Sequence, residues 1–275
     1  MKFEEAVLRE LNLYPLWKLR GEPAPDAAQH LPPARGKDRT GVGQQESLAS
    51  TPSPVLMEPL AIRLSPQADK SLVIHLQGGA GLGELGWPEL KARVNGCSAC
   101  KLRAGCTQTV FGAGDEQADW LFVGEGPGAD EDERGEPFVG QAGKLLDNML
   151  AAIKLKRGQK VYIANVVKCR PHDNHTPQAD EIAACMPYLQ RQIELIQPRV
   201  IVALGKTAAT ALLNSEATLA SMRGKLLTYR DTPLIVTYHP AHLLRTPSDK
   251  AQAWADLCLA VETMNNLTRQ SQEKH

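Results

Sequence analysis

Apolar residues gather into four short runs from Trp120 onward: Trp120–Gly124 (WLFVG), Val161–Val167 (VYIANVV), Val200–Gly205 (VIVALG) and Leu234–Thr237 (LIVT). Runs of this length, without polar alternation, fit strands buried on both faces. Helical patterns lie between and after them, over Gln141–Ile153, Pro177–Ile196, Thr207–Leu213 and Lys250–Leu267. Trp87-Pro88-Glu89-Leu90 reads as a helix start with proline in its first turn. Strand alternating with helix predicts an α/β fold, a three-layer α/β/α sandwich around a central, mostly parallel, four-stranded sheet. Ligands of such sheets bind at the carboxyl ends of the strands.

Upstream the pattern fades. Residues 3–11 place Phe3, Val7 and Leu11 on one helical face. A short helical segment over 1–20 would dock on its own domain or capture a protein partner. Residues 21–85, rich in Pro, Ala, Gln, Ser and Gly, read as a flexible linker. The folded domain is expected over 86–270.

Composition narrows the classes. The 275 residues suffice for one large domain plus a tail. Basic and acidic residues balance at 31 each, so any contact with nucleic acid depends on a local patch. Lys91, Arg93, Lys101 and Arg103 offer either that patch or a solvated helix face. No apolar run is long enough to span a bilayer, and Met1-Lys2-Phe3-Glu4-Glu5 carries acids where a signal peptide needs a basic region. A cytoplasmic monomer without membrane contact is expected. Six cysteines in that compartment imply metal ligands or buried thiols, not disulfides.

The strand ends hold the chemistry. The first run leads into Gly124-Glu125-Gly126-Pro127-Gly128-Ala129-Asp130-Glu131-Asp132, then Gly135-Glu136-Pro137-Phe138-Val139-Gly140. The second carries Asn165 and continues into Lys168-Cys169-Arg170-Pro171; the last ends in Tyr238-His239-Pro240-Ala241-His242-Leu243-Leu244-Arg245. The glycine loop lacks the lysine and hydroxyl of a phosphate loop, and its carboxylates would repel a nucleotide. Cys97 and Cys100 form a CxxC pair, with Cys169 and Cys185 sixteen apart downstream. Four thiolates accept zinc or an iron–sulfur cluster, and spacing does not choose between them. Cys106 is a rival ligand. Cys258, within an apolar helix pattern, reads as a buried spectator.

Taken in order, GEGPGADED…GEPFVGQAGKLLDNML, YIANVVKCRP and HPAHLLR resemble the family-four uracil-DNA glycosylases, from about Trp87 to Leu267. The resemblance implies a uracil-DNA glycosylase-like fold and hydrolysis of the N-glycosidic bond of uracil flipped out of DNA. That reaction starts base excision repair and leaves an abasic site. It also implies a 4Fe–4S cluster on Cys97, Cys100, Cys169 and Cys185, pinning the segments around the second strand.

The residues support such chemistry independently. A flipped base needs a platform and an edge reader. Phe138 can stack on it, and the Asn165 carboxamide can donate to uracil O4 and accept from N3–H, the reverse of what cytosine requires. Uracil leaves as an anion, which preorganised donors stabilise. His239, donating to O2, is the candidate, helped by the Gly124–Gly128 loop with Gly124 and Gly126 against the base. Leu243 and Leu244 resemble a wedge that fills the gap in the base stack and Arg245 a phosphate contact, although leucines of an amphipathic turn equally belong in a core. His242 receives no role.

Some related glycosylases carry an aspartate at the third loop position, which here is Gly126. Glu125, or the acidic pair Glu131 and Asp132, would then orient the water, with Glu125 and Glu131 the catalytic candidates. Asp130, Asp132 and Glu133 otherwise read as solvated surface charge. Three other classes compete: a non-catalytic iron–sulfur DNA-binding module, a covalent uracil-DNA-trapping relative, and a Cys₄ zinc scaffold. Asn165, Phe138 and His239 together argue against the first. The stretch from Arg170 to Pro177 lacks the KRRIH sequence of the second, although His172 and His175 there depart from the commoner PPxNR pattern and bear on DNA contact.

Overall fold

A computed structural model describes residues 81–273. The expected segment 1–20 and nearly all of the linker 21–85 lie outside the described residues. Ahead of Trp87, Leu82–Glu84 form a 3₁₀ turn that buries Leu82.

Helices α1 (Trp87–Asn95) and α2 (Leu102–Gly105) lead to strands β1 (Ala113–Gly114) and β2 (Trp120–Gly124). Then follow α3 (Ala129–Arg134), α4 (Gln141–Ala152), β3 (Val161–Asn165), α5 (Ala179–Ile196) and β4 (Val200–Leu204). The remainder is α6 (Lys206–Leu213), α7 (Leu219–Met222), β5 (Leu226–Tyr229), β6 (Thr232–Thr237), α8 (Pro240–Arg245) and α9 (Lys250–Gln272).

The sheet has six strands in the order β1-β3-β2-β4-β6-β5, not four. The four apolar runs form its parallel centre. The additional two are antiparallel edges, β1 on β3 and β5 on β6. Both escape a search for apolar runs for a physical reason. β1 is two residues long, and only Tyr229 of β5 is buried.

Every residue of β2, β3 and β4 is buried, and alternation along β2 sends side chains to two cores. Leu121 and Val123 join Leu90, Leu189 and Ala208 on one face. Trp120 and Phe122 join Leu146, Leu150 and Leu257 on the other. Burying a side chain such as Phe122 completely contributes about 1.5–3 kcal/mol. The helices thus cover both faces, giving the expected three layers. The chain passes from β2 to β3 on one side and later to β4 on the other, which opens a crevice at their carboxyl ends. Cys258 corrects its expectation: it is exposed, because its neighbour Leu257 takes the buried face of α9.

Candidate active site

Gly124 and Asn165 are register partners at the ends of β2 and β3. A β-carbon on Gly124 would stand 2.5 Å from Asn165 Oδ1 and 2.6 Å from Phe138 Cζ. Glycine is therefore what lets amide and ring converge. Asn165 is buried, and its Oδ1 has no hydrogen-bond partner among the described residues. An unpaired buried acceptor costs about 1–3 kcal/mol, a cost that a bound donor removes.

Phe138 is also buried and adopts φ +56°. The left-handed conformation costs a residue with a β-carbon about 1–2 kcal/mol, and such strain clusters at functional sites. Its ring lies 5.4 Å from the His239 ring, inclined by 30°. Gly143 of α4 is equally constrained, since a β-carbon there would collide with the Phe138 carbonyl.

His239 caps α8, with Pro240 in the first helical position. Its Nδ1 accepts from the Ala241 amide at 3.2 Å, so the ring proton belongs on Nε2. Burial, then the nearby Arg245 charge, pushes the imidazole down to about 4. The ring is neutral at physiological pH and is a donor through Nε2–H.

The carboxylates separate by environment. Glu131 accepts from the Gly128 amide at 3.0 Å, Val139 at 2.9 Å and Gly140 at 3.0 Å, tying the two glycine loops together. The Gly128 amide is thereby taken up and does not face a base. Asp132 is buried, accepting from the Thr107 and Gln108 amides, so neither the water-orienting nor the surface-charge expectation describes it. Glu125 accepts only one bond among the described residues, from the Thr207 hydroxyl to Oε2. At Gly126 a β-carbon would meet Val167 Cγ2 at 2.7 Å, so this backbone has no room for a side chain there.

A cavity of about 470 Å³ joins these groups, lined by Glu125, Gly126, Glu131, Phe138, Asn165, His239 and Arg245. The leucines part company. Leu243 is 1% exposed and packs in the second core, which contradicts a surface contact, whereas Leu244 is 46% exposed. His242 also lines the cavity; it stacks on Tyr238 at 4.9 Å and bonds Asp249 at 2.7 Å. From the stretch after β3, His175 lines the cavity while His172 pairs outside with Asp173 at 2.8 Å. Sequence reasoning missed Thr207 and Arg157. Arg157 donates to the Pro137 and Phe138 carbonyls at 2.8 Å each.

Cys97, Cys100, Cys169 and Cys185 line a second, small cavity that Cys106 does not. Backbone amides point at two of the sulfurs, Ala99 at Cys97 (3.5 Å) and Lys168 at Cys185 (3.2 Å). Burial and the neighbouring thiols push Cys185 up to about 11 and Cys169 higher still. Cys106 interacts with Arg103, at 3.5 Å from its guanidinium, and Lys101 pairs with the buried Glu181 at 3.6 Å. Two of the four expected basic-patch residues thus serve this region, while Lys91 and Arg93 are exposed. No three His, Cys, Asp or Glu side chains are arranged to hold one metal ion among the described residues. Buried Lys168 links this region to the crevice, donating from Nζ to the Asn165 carbonyl (2.9 Å) and Gln192 Oε1 (2.6 Å). Burial lowers its ammonium to about 8.

A mostly parallel sheet with an orphaned amide, a strained aromatic and a neutral histidine at one crevice defines an α/β domain with a built site at its strand ends. The sequence profile of the Uracil DNA glycosylase superfamily matches residues 111–258, and the chain belongs to that superfamily. Within it the similarity is to the type-4 enzymes. The type-4 uracil-DNA glycosylase of Archaeoglobus fulgidus is 42% identical over 176 residues, 61% of this chain and 88% of the relative. That of Thermotoga maritima is 44% identical over 160 residues, 58% and 83% of the two chains. A type-5 uracil-DNA glycosylase of Pyrobaculum aerophilum is 31% identical over 146 residues, 47% and 64%.

Proposed function

We propose that the crevice holds a flipped uracil stacked on Phe138, with O2 turned to His239 and the opposite edge read by Asn165. The protein is a uracil-DNA glycosylase, a hydrolase of N-glycosyl bonds whose substrate is DNA and whose reaction starts base excision repair. The observation that carries the residue assignment is the unpaired Oδ1 of buried Asn165. Uracil N3–H satisfies it; cytosine, with an acceptor at N3, leaves it unpaired and adds a second mismatch at the exocyclic amine.

As the glycosidic bond lengthens, negative charge grows on the base and positive charge on the sugar. His239 Nε2–H stabilises the charge at O2 without transferring its proton, because burial makes the imidazole neutral beforehand. Glu125, fixed at one oxygen by Thr207, keeps the other for the attacking water and the cation-like sugar. Glu131 acts as a brace, since backbone amides occupy both of its oxygens. Leu244 enters the base stack, and Arg245 contacts phosphate; Leu243 supports them from the core.

The four cavity-lining cysteines fit a polynuclear iron–sulfur cluster of the 4Fe–4S kind. They ring a cavity, and amides are directed at their sulfurs. Bound there, a cluster would tie the turn between α1 and α2 to the chain after β3 and to α5, and its charge would let these high-pKa thiols ionise. We expect a monomer, with residues 1–20 a binding segment for a protein partner. The test is release of free uracil from a labelled deoxyuridine oligonucleotide, with cytosine and thymine oligonucleotides as controls. Uracil alone should be released; equal release of cytosine sinks the assignment of Asn165.

A further inference from the structure

Phe138 occupies a left-handed conformation that its own side chain disfavours, so something outside the Pro-Phe-Val-Gly turn must hold it there. Arg157 reaches that turn from the loop between α4 and β3. Nη1 donates to the Pro137 carbonyl and Nη2 to the Phe138 carbonyl, each at 2.8 Å. The far side of the fork rests on Asp147 of α4, through Nε at 3.1 Å and Nη2 at 2.9 Å to Oδ1. Glu136 adds a weaker attraction at 3.9 Å. Two successive carbonyls are thus fixed by one rigid, planar group, which is itself seated on the helix that begins just after the turn.

We propose that Arg157 is a positioning residue for base stacking: its guanidinium fork, oriented by Asp147, locks the Pro137–Phe138 backbone so that the ring stays across the crevice. The arrangement suits arginine and not lysine. A guanidinium satisfies two carbonyls and a carboxylate in one plane, while an ammonium is a point charge without a fixed fork. Arg157 is also largely covered, with its side chain 21% exposed and its donors engaged within the protein, which argues against a role as a phosphate contact. Without the fork, the turn relaxes toward negative φ and the ring leaves its place 5.4 Å from the His239 ring.

The inference rests on Phe138 being the stacking platform, and a double-mutant cycle separates the two claims. Single-turnover uracil release is measured for Arg157→Met, Phe138→Ala and the double variant. Each single change should lower the rate about ten- to hundred-fold, the range for misplaced reacting groups. In the Phe138→Ala background, removing Arg157 should cost no more than about twofold, because coupled residues are not additive. Arg157→Lys should fall with Arg157→Met. Should Arg157→Met fail to fold, Asp147→Ala, at an exposed position, should give a smaller loss that also vanishes with Phe138→Ala. Losses that multiply, rescue by lysine, or an unaffected Arg157→Met overturn the clamp. An unaffected Phe138→Ala overturns the platform itself.

Discussion

The Ala241 amide donates to Nδ1 of His239 at 3.2 Å, and this bond determines which imidazole nitrogen faces the crevice with a proton. Proline at the first helical position makes Ala241 the first residue of α8 with an amide to give. The HPA sequence therefore sets a tautomer as well as a helix start.

With burial pushing His239 down to about 4, long-range proton–nitrogen spectra should show a neutral Nε2–H tautomer throughout about pH 5.5–8. The sign of the linkage is fixed. The unfolded chain, with an ordinary histidine near 6.5, binds the proton more readily than the folded one. His239 therefore lowers stability as pH falls from there toward 4. A ring titrating near 6.5, or protonated on Nδ1, contradicts the donor role.

Asn165→Ala should separate stability from activity. The substitution removes an unpaired buried acceptor, so thermal stability should hold within about 1 kcal/mol. Uracil release should fall about 10²–10³-fold, as for loss of a preorganised polar contact. A large drop in melting temperature would make Asn165 a packing residue instead.

Gly124→Ala tests the crowding between β2 and β3. Its β-carbon would meet Asn165 Oδ1 and the Phe138 ring, displacing both readers. Release should drop at least about tenfold, by misplacement of the groups that contact the base, and far-ultraviolet circular dichroism should be unchanged. Wild-type activity would contradict this packing.

Much of this was legible in sequence because the key residues sit where strands end. The apolar runs mark where Gly124, Asn165 and His239 stand, at or beside strand ends, while their expected roles came from the resemblance. Positions whose partners are distant in sequence were not legible. Arg157 stands in a basic stretch, KLKRGQK, that looks like a solvated loop; Thr207 meets Glu125 across 82 positions. Asp132 resembles its solvated neighbours Asp130 and Glu133, yet is buried on two amides of the chain before β1. Nor could adjacency divide Leu243 from Leu244, since helical phase alone turns one inward.

The cysteines give a separate test. Cys97→Ser, Cys100→Ser, Cys169→Ser or Cys185→Ser should each lose iron, sulfide and visible absorbance. Cys106→Ser and Cys258→Ser should keep them, since Cys106 is outside the ligand cavity and Cys258 is exposed. Retained iron in Cys185→Ser with loss in Cys106→Ser would reassign the ligand set.

The central claim is most directly tested by single-turnover uracil release from one labelled oligonucleotide by the wild-type protein, Asn165→Ala and His239→Ala. Wild type should leave an abasic product, and each variant should lose about 10²–10³-fold or more in rate. Folded, iron-loaded variants that release uracil at the wild-type rate would show that the chemistry lies elsewhere in the crevice.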